Sequence, residues 1–178
     1  KFRILVFLAL CSVVSCAFNL EAFPARQCNA AQLKTRREYV LEPSRKLVLR
    51  GGSASPNFEE VGRAYVQHYY GIFDSNRAGL QNLYQDCSMM SFEGEQIQGA
   101  QAITQKLISL PFQTVQHEII TSDSQPSASG GIIVFVCGNL KVDGSENPMK
   151  FSQVFSLQPL PNNQGYFCYN DIFRLNYG

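Results

Sequence analysis

The sequence predicts an α+β fold, with N-terminal helices packed in a strongly curved antiparallel sheet. Three observations carry that reading. Residues 58–74 (FEEVGRAYVQHYYGIFD) place Phe58, Val61, Tyr65, Tyr69 and Ile72 at three- and four-residue steps, the spacing of one helical stripe, and Val66, Tyr70 and Phe73 widen it. The period then changes: residues 114–122, 149–157 and 166–175 alternate, and residues 131–140 (GIIVFVCGNL) form a nearly continuous β-branched and aromatic run suited to a central strand. Helical pattern comes first and strand pattern after. So broad an aromatic stripe must lie on something large and concave, and only strands remain to supply it.

The elements follow in order. Residues 1–55 differ in character from the rest. Lys1 and Arg3 precede an apolar run over residues 4–14 and then Ser15, Cys16 and Ala17, the layout of a signal peptide. The run is too short to span a membrane comfortably. A basic segment follows and ends in the flexible stretch GGSASP, residues 51–56. Met89 is the first methionine, so three readings stay open: a fragment, a processed form with a secretory or plastid presequence, or a translated leader that is not native coding sequence. Each predicts a leader over residues 1–55 that contributes little to a domain over residues 56–178.

Ser55 or Asn57 can cap the first helix, Glu59 and Glu60 suit its positive end, and Asp74, Ser75 and Asn76 stop it. A short helical turn is expected over residues 82–86, a strand over 88–93, and a return strand over 95–99 through Gly94. Residues 100–109 read as a helix with Ile103, Leu107 and Leu110 on one face, ended by Pro111. Turns are expected at residues 125–127, 143–145 and 161–163. There are no internal repeats.

Composition excludes several classes. A net charge of +1 over 178 residues leaves no basic footprint for nucleic acid. The 6 cysteines show no CxxC spacing and no paired histidine, so no metal site and no cofactor are expected. Cys87, Cys137 and Cys168 read as free thiols in a reducing compartment.

The blocks YVQHYYGIFDSNRAGLQNLY, SFEGEQIQGAQAI, LISLPFQTVQH, DSQPS, GNLKVDG, KFSQVFSL and NDIFRLNYG resemble the nuclear transport factor 2 family, in order and almost without gaps over residues 57–178. FEGEQIQG, LPFQ and NDIFRLNY are the most specific, and the last looks most like plant members. The resemblance implies a cystatin-like cone that forms a homodimer and is not an enzyme. It implies a carrier that takes the GDP-bound small GTPase Ran into the nucleus and crosses the pore by binding Phe-Gly repeats of nucleoporins. Cytoplasm, nucleus and nuclear envelope are the implied locations.

It also implies roles for residues. Glu93 matches the family's acidic residue in a WEG-like block, here FEG, on the rim of a socket for an aromatic side chain of Ran. Asp143 and Glu146 fall in the acidic loop after the LK strand; the loop is longer and less acidic here, and either residue could take the pairing role. Phe58 holds the position of an aromatic beside a groove for Phe-Gly repeats, where animal members have Trp. For the dimer, the sheet face away from the helix is expected to stay apolar, with Phe135, Phe151, Phe155, Phe167 and Tyr169 or their alternates on it; bulges leave the parity open.

Two other readings share the fold. A small-molecule-binding or enzymatic member of the superfamily would place a general acid or base in the mouth of the cone, with His68, His117, Asp123 and Asp171 as candidates. It would need an Asp–His contact in a pocket closed to water. An accessory domain that pairs with a different chain, as in messenger-RNA export factors, is the other.

Overall fold

The computed structural model describes residues 57–161 and 164–177. The expectations for the leader over residues 1–55, for a cap at Ser55 and for a turn through Asn162 and Asn163 lie outside these residues. Helix α1 runs Phe58–Ser75. Asn57 caps it, its side chain accepting from the Glu59 amide at 3.1 Å, and Glu59 and Glu60 sit in the first turn. At the far end the Asn76 amide donates to the Ile72 carbonyl at 2.7 Å. The Asn76 side chain then accepts from Ala78 N–H at 3.2 Å and starts a 3-10 helix, Arg77–Leu83.

Strand β1 (Tyr84–Phe92) and strand β2 (Glu95–Gln98) form a hairpin around Glu93 and Gly94. Both turn residues have positive φ, 51° and 91°, the geometry that matches the twist of the flanking strands. Helix α2 (Ala100–Ile108) follows, then β3 (Val115–Pro126), β4 (Ile132–Val142), β5 (Met149–Pro159) and β6 (Tyr166–Leu175). The sheet order is β2-β1-β6-β5-β4-β3. Every neighbouring pair is antiparallel except β1 with β6, which is parallel.

Several boundaries differ from the sequence reading. Strand β3 runs on through Gln125 and Pro126, into the turn expected over residues 125–127. The helical turn expected at residues 82–86 lies earlier, and β1 already begins at Tyr84. Within this longer strand the pairing with β6 shifts register between Tyr84 and Met89. Inside it Ser88 Oγ accepts from the Gln85 amide at 2.8 Å and donates to the Cys168 carbonyl at 2.5 Å, replacing the missing ladder bonds. The cysteine expectation also needs correcting. Cys137 and Cys168 are free thiols, but Cys87 is disulfide-bonded.

The aromatic stripe of α1 lies on the inner face of the curved sheet. Tyr69 meets Phe155 at 4.7 Å between ring centroids, Tyr65 meets Phe155 at 5.2 Å and Tyr70 meets Phe151 at 5.8 Å. Each such pair contributes about 0.5–1.5 kcal/mol beyond the area it buries. Gly62 lets the helix approach β3, since a Cβ there would run into the Ser124 side chain.

The structure also settles the parity of the strands. Phe151 and Phe155 face inward and are buried in the core; Phe167 is buried but lies outside the core cluster, on the face opposite Cys168 and against half-buried Tyr169. Of the expected outward set only Phe135 is exposed, together with the alternates Ile133 and Ile172. A bulge between Ser156 and Leu157 moves the register of β5 on β6 by one residue, which reassigns the faces of β6. Phe135, Val154 and Ile172 are successive cross-strand neighbours on β4, β5 and β6, so they form one apolar row across the outer face.

Candidate functional site

The C-terminal end of α1 and one end of the sheet enclose an apolar socket. Phe73 comes from α1, Phe92 from β1, His117 from β3, Val142 from β4, Met149 from β5, and Phe173 and Leu175 from β6. Leu110 and Phe112, from the loop between α2 and β3, complete the wall. Phe92 and Phe173 stack at 4.8 Å and 5°, and Phe173 stacks on Phe151 at 5.7 Å, so one side of the socket is a layer of parallel rings. The enclosed room is about 30 Å³, enough for about one water. An incoming aromatic ring must therefore displace part of the lining. Met149, with its flexible thioether, is the side chain best suited to yield.

His117 is the socket's polar member. Its Nδ1 lies 2.6 Å from Asp74 Oδ1, and its own amide donates to Asp74 Oδ2 at 3.0 Å. Rings of Tyr70, Phe73 and Phe151 surround it at 4.8, 4.9 and 5.4 Å. Only 3% of the His117 side chain is exposed. Both Asp74 oxygens hold the histidine in place, and packing fixes the rest of the ring. The alternation of His117 with Val115 and Ile119 correctly puts all three on one face. Asp74 was missed as its partner, because 43 residues separate the two and Asp74 reads locally as a helix stop.

Two carboxylates stand at the edge of the socket. Glu93 follows the lining residue Phe92. One of its oxygens accepts from the Leu175 amide at 2.6 Å, and the other has no hydrogen-bond partner among the described residues. Asp143 follows the lining residue Val142 and is exposed. Its Oδ1 accepts from the amides of Gln113 and Thr114 at 3.0 and 2.9 Å, and these bonds, the one from Thr114 foremost, hold its carboxyl below the ordinary range. Glu146 is exposed in the turn beyond Ser145 and has no described contact with the socket wall. The two acidic candidates thus differ: Asp143 is tied to the rim and Glu146 is free in solvent.

Phe58 is half-buried at the opposite end of α1, packed against the core. Fifteen residues separate it from Phe73, about 22 Å of helix at 1.5 Å per residue.

The remaining ionisable candidates do not converge. Asp123 is exposed on β3, and His68 is half-buried on α1, where burial lowers its pKa. Asp171 is 1% exposed and lies in a polar cluster inside the cone. It accepts from Tyr84 Oη at 2.6 Å, Gln153 Nε2 at 2.7 Å and Tyr69 Oη at 3.4 Å, while Tyr70 Oη donates to Gln153 Oε1 at 2.8 Å. Burial raises the Asp171 carboxyl to about 6 against the opposing pull of these donors. Asp171 does not line the socket. The Asp–His contact that an enzymatic reading requires is present as His117 with Asp74, at a cavity that in its resting form has room for about one water. Among the described residues no group of His, Cys, Asp and Glu could hold a metal ion, and no helix is long and apolar enough to cross a membrane.

Comparison with known proteins bears on this site. The nuclear transport factor 2 domain description matches residues 61–175. The chain is 53% identical to nuclear transport factor 2B of Arabidopsis thaliana over 120 residues, 67% of this chain and 94% of the relative. It is 48% identical to nuclear transport factor 2 of Saccharomyces cerevisiae over 124 residues, 69% and 98% of the two chains. The solved structure of nuclear transport factor 2 from Cryptosporidium parvum is similar at a TM-score of 0.65 and 48% identity, covering 68% of this chain and 96% of that one. A putative scytalone dehydratase from Novosphingobium aromaticivorans shares the fold alone, at 11% identity and a TM-score of 0.57, over 67% and 84% of the chains.

Proposed function

The chain belongs to the nuclear transport factor 2 family, and on that premise we propose that it is a nuclear transport factor that binds GDP-bound Ran and carries it into the nucleus. The observation that carries the reading is the socket. It is a tight, largely apolar, ring-lined mouth with Glu93 and Asp143 on its edge and His117, held by Asp74, as its polar lining member. Such a site suits one aromatic anchor flanked by basic residues, in which the buried ring supplies most of the affinity and the rim charges supply on-rate and orientation. Relatives named as transport factors match the chain at about half identity, whereas the likeness to a dehydratase extends to the fold alone. The test is a titration of the full chain with Ran loaded with GDP or with a GTP analogue. Saturable binding of the GDP form and none of the GTP form is expected; binding to neither form would remove the proposal.

We assign the apolar row Phe135, Val154 and Ile172 to contact with a second copy of the chain, which would turn two cones into one carrier. Phe58 we assign to Phe-Gly repeats. Contacts of that kind are individually weak, and two grooves per dimer compensate through avidity. The working sites are the cytoplasm, the nucleus and the nuclear envelope.

The distance along α1 predicts that the two partner surfaces separate. Phe58→Ala should lower capture of the chain on Phe-Gly repeat beads while Ran–GDP affinity stays within about threefold, a change of under 1 kcal/mol. Truncating a half-buried ring also costs stability, on the order of 1–3 kcal/mol, so the melting temperature is measured alongside. Parallel loss of both activities in a variant that remains folded would contradict the assignment.

A further inference from the structure

We infer that Arg77 is a positioning residue for the socket: its guanidinium holds the loop between α2 and β3 from outside and so fixes one wall of the mouth. The inference rests on reading the socket as the Ran-docking site. Residues 109–114 form neither helix nor ladder, yet they supply Leu110 and Phe112 to the lining. An irregular segment at a binding mouth must have its backbone groups satisfied by something. Here two side chains do most of it, Arg77 at the carbonyls and Asp143 at the amides. Arg77 Nη2 donates to the carbonyls of Phe112 and Gln113 at 2.8 and 2.9 Å, and Nη1 donates to the Leu107 carbonyl at 3.3 Å. Asp143 takes the amides of Gln113 and Thr114, and its own amide donates to the Thr114 carbonyl at 2.9 Å.

The guanidinium does a second thing. Its centre lies 4.6 Å from the Phe112 ring and 6.0 Å from the Phe73 ring, and both rings line the socket. One planar group thus fixes the backbone of the wall and the orientation of its aromatic side chain. Lysine cannot reproduce this, because a single ammonium point charge has no fork and no plane. Arg77 does not line the socket, so its effect on a guest ring is indirect. With room for about one water in the resting cavity, even a small outward drift of Phe112 changes the fit.

The experiment compares Arg77→Ala and Arg77→Lys in the full chain by three readouts. These are titration with Ran–GDP, capture on Phe-Gly repeat beads, and amide exchange resolved by residue. Both variants should lose Ran–GDP affinity by about tenfold or more, as expected for loss of charge-assisted hydrogen bonds. Lysine should rescue little, bead capture should stay at the wild-type level, and faster exchange should be confined to Gln113, Thr114 and their neighbours. Wild-type affinity in both variants, full rescue by lysine, or equal loss of bead capture would overturn the positioning role. If the wild-type chain itself fails to bind Ran–GDP, the docking reading falls and exchange decides alone: local acceleration at residues 112–114 supports the clamp, and unchanged exchange there overturns it.

Discussion

Glu93→Lys is expected to reduce Ran–GDP binding by about a hundredfold or more, with the fold retained. The carboxylate sits on the hairpin turn immediately after Phe92, so its charge lies against the socket's edge and not at the end of a mobile loop. Losing one partner of a desolvated charge pair costs roughly 2–5 kcal/mol, and each 1.4 kcal/mol is about tenfold. Lysine goes further and opposes basic residues with a like charge. A complication is that Glu93 also accepts the Leu175 amide at 2.6 Å, so lysine removes an internal bond as well. Glu93→Gln separates the two effects. Its amide oxygen can keep the bond to Leu175 while the charge is gone. Binding should therefore rank wild type above Glu93→Gln above Glu93→Lys, with the melting temperature of the glutamine variant close to wild type. Wild-type affinity in Glu93→Lys would remove Glu93 from the rim.

Much of this architecture was legible in the sequence because each element carries a period that local physics enforces. The stripe over residues 58–74 predicted α1, Phe58–Ser75, almost to the residue. The β-branched run over residues 131–140 predicted a strand that the sheet places between β3 and β5. What escaped was set by long-range geometry. The parallel pairing of β1 with β6 joins the two ends of the domain, and no local pattern encodes it. The bulge at Ser156 and Leu157 decided which phenylalanines face outward. His117 and Asp74 each looked ordinary alone. The same holds for Arg77, whose sequence neighbours Ala78 and Gly79 give no sign that it reaches carbonyls at Leu107, Phe112 and Gln113. Side chains that serve a distant backbone leave no periodic trace. Of the acidic candidates, Glu93 and Asp143 follow the lining residues Phe92 and Val142, but sequence could not separate Asp143 from Glu146, because only the fold shows that Asp143 binds the neighbouring loop.

The buried carboxylate of Asp171 should give the domain an unusual dependence of stability on pH. Its described partners are the hydroxyls of Tyr69 and Tyr84 and the amide of Gln153; Tyr65 and Cys168 also face it, and none of these is a cation. Burial raises the pKa values of Tyr65, Tyr69 and Tyr84, so the two tyrosine donors stay protonated throughout the range of interest. With no positive charge to offset desolvation, the Asp171 carboxyl rises to about 6 in the folded chain, against roughly 3.9 in an unfolded one. The folded state therefore holds this proton more tightly than the unfolded state. Its contribution is fully present below about pH 4 and is lost as pH rises through about 6. A proton held roughly a hundredfold more tightly in the folded chain corresponds to about 3 kcal/mol. Asp171→Asn keeps the shape and cannot ionise, although its amide hydrogens must compete with existing donors, so it should be the less stable protein at pH 4. Urea unfolding of both chains from pH 4 to 7.5 isolates the effect, because other titrating groups cancel in the difference. Wild type should lose stability relative to Asp171→Asn by about 2 kcal/mol across that interval, most of it between pH 4 and 6. A flat difference would mean that Asp171 titrates alike in both states, and the cluster inside the cone would then be an ordinary hydrogen-bonded core rather than a strained one.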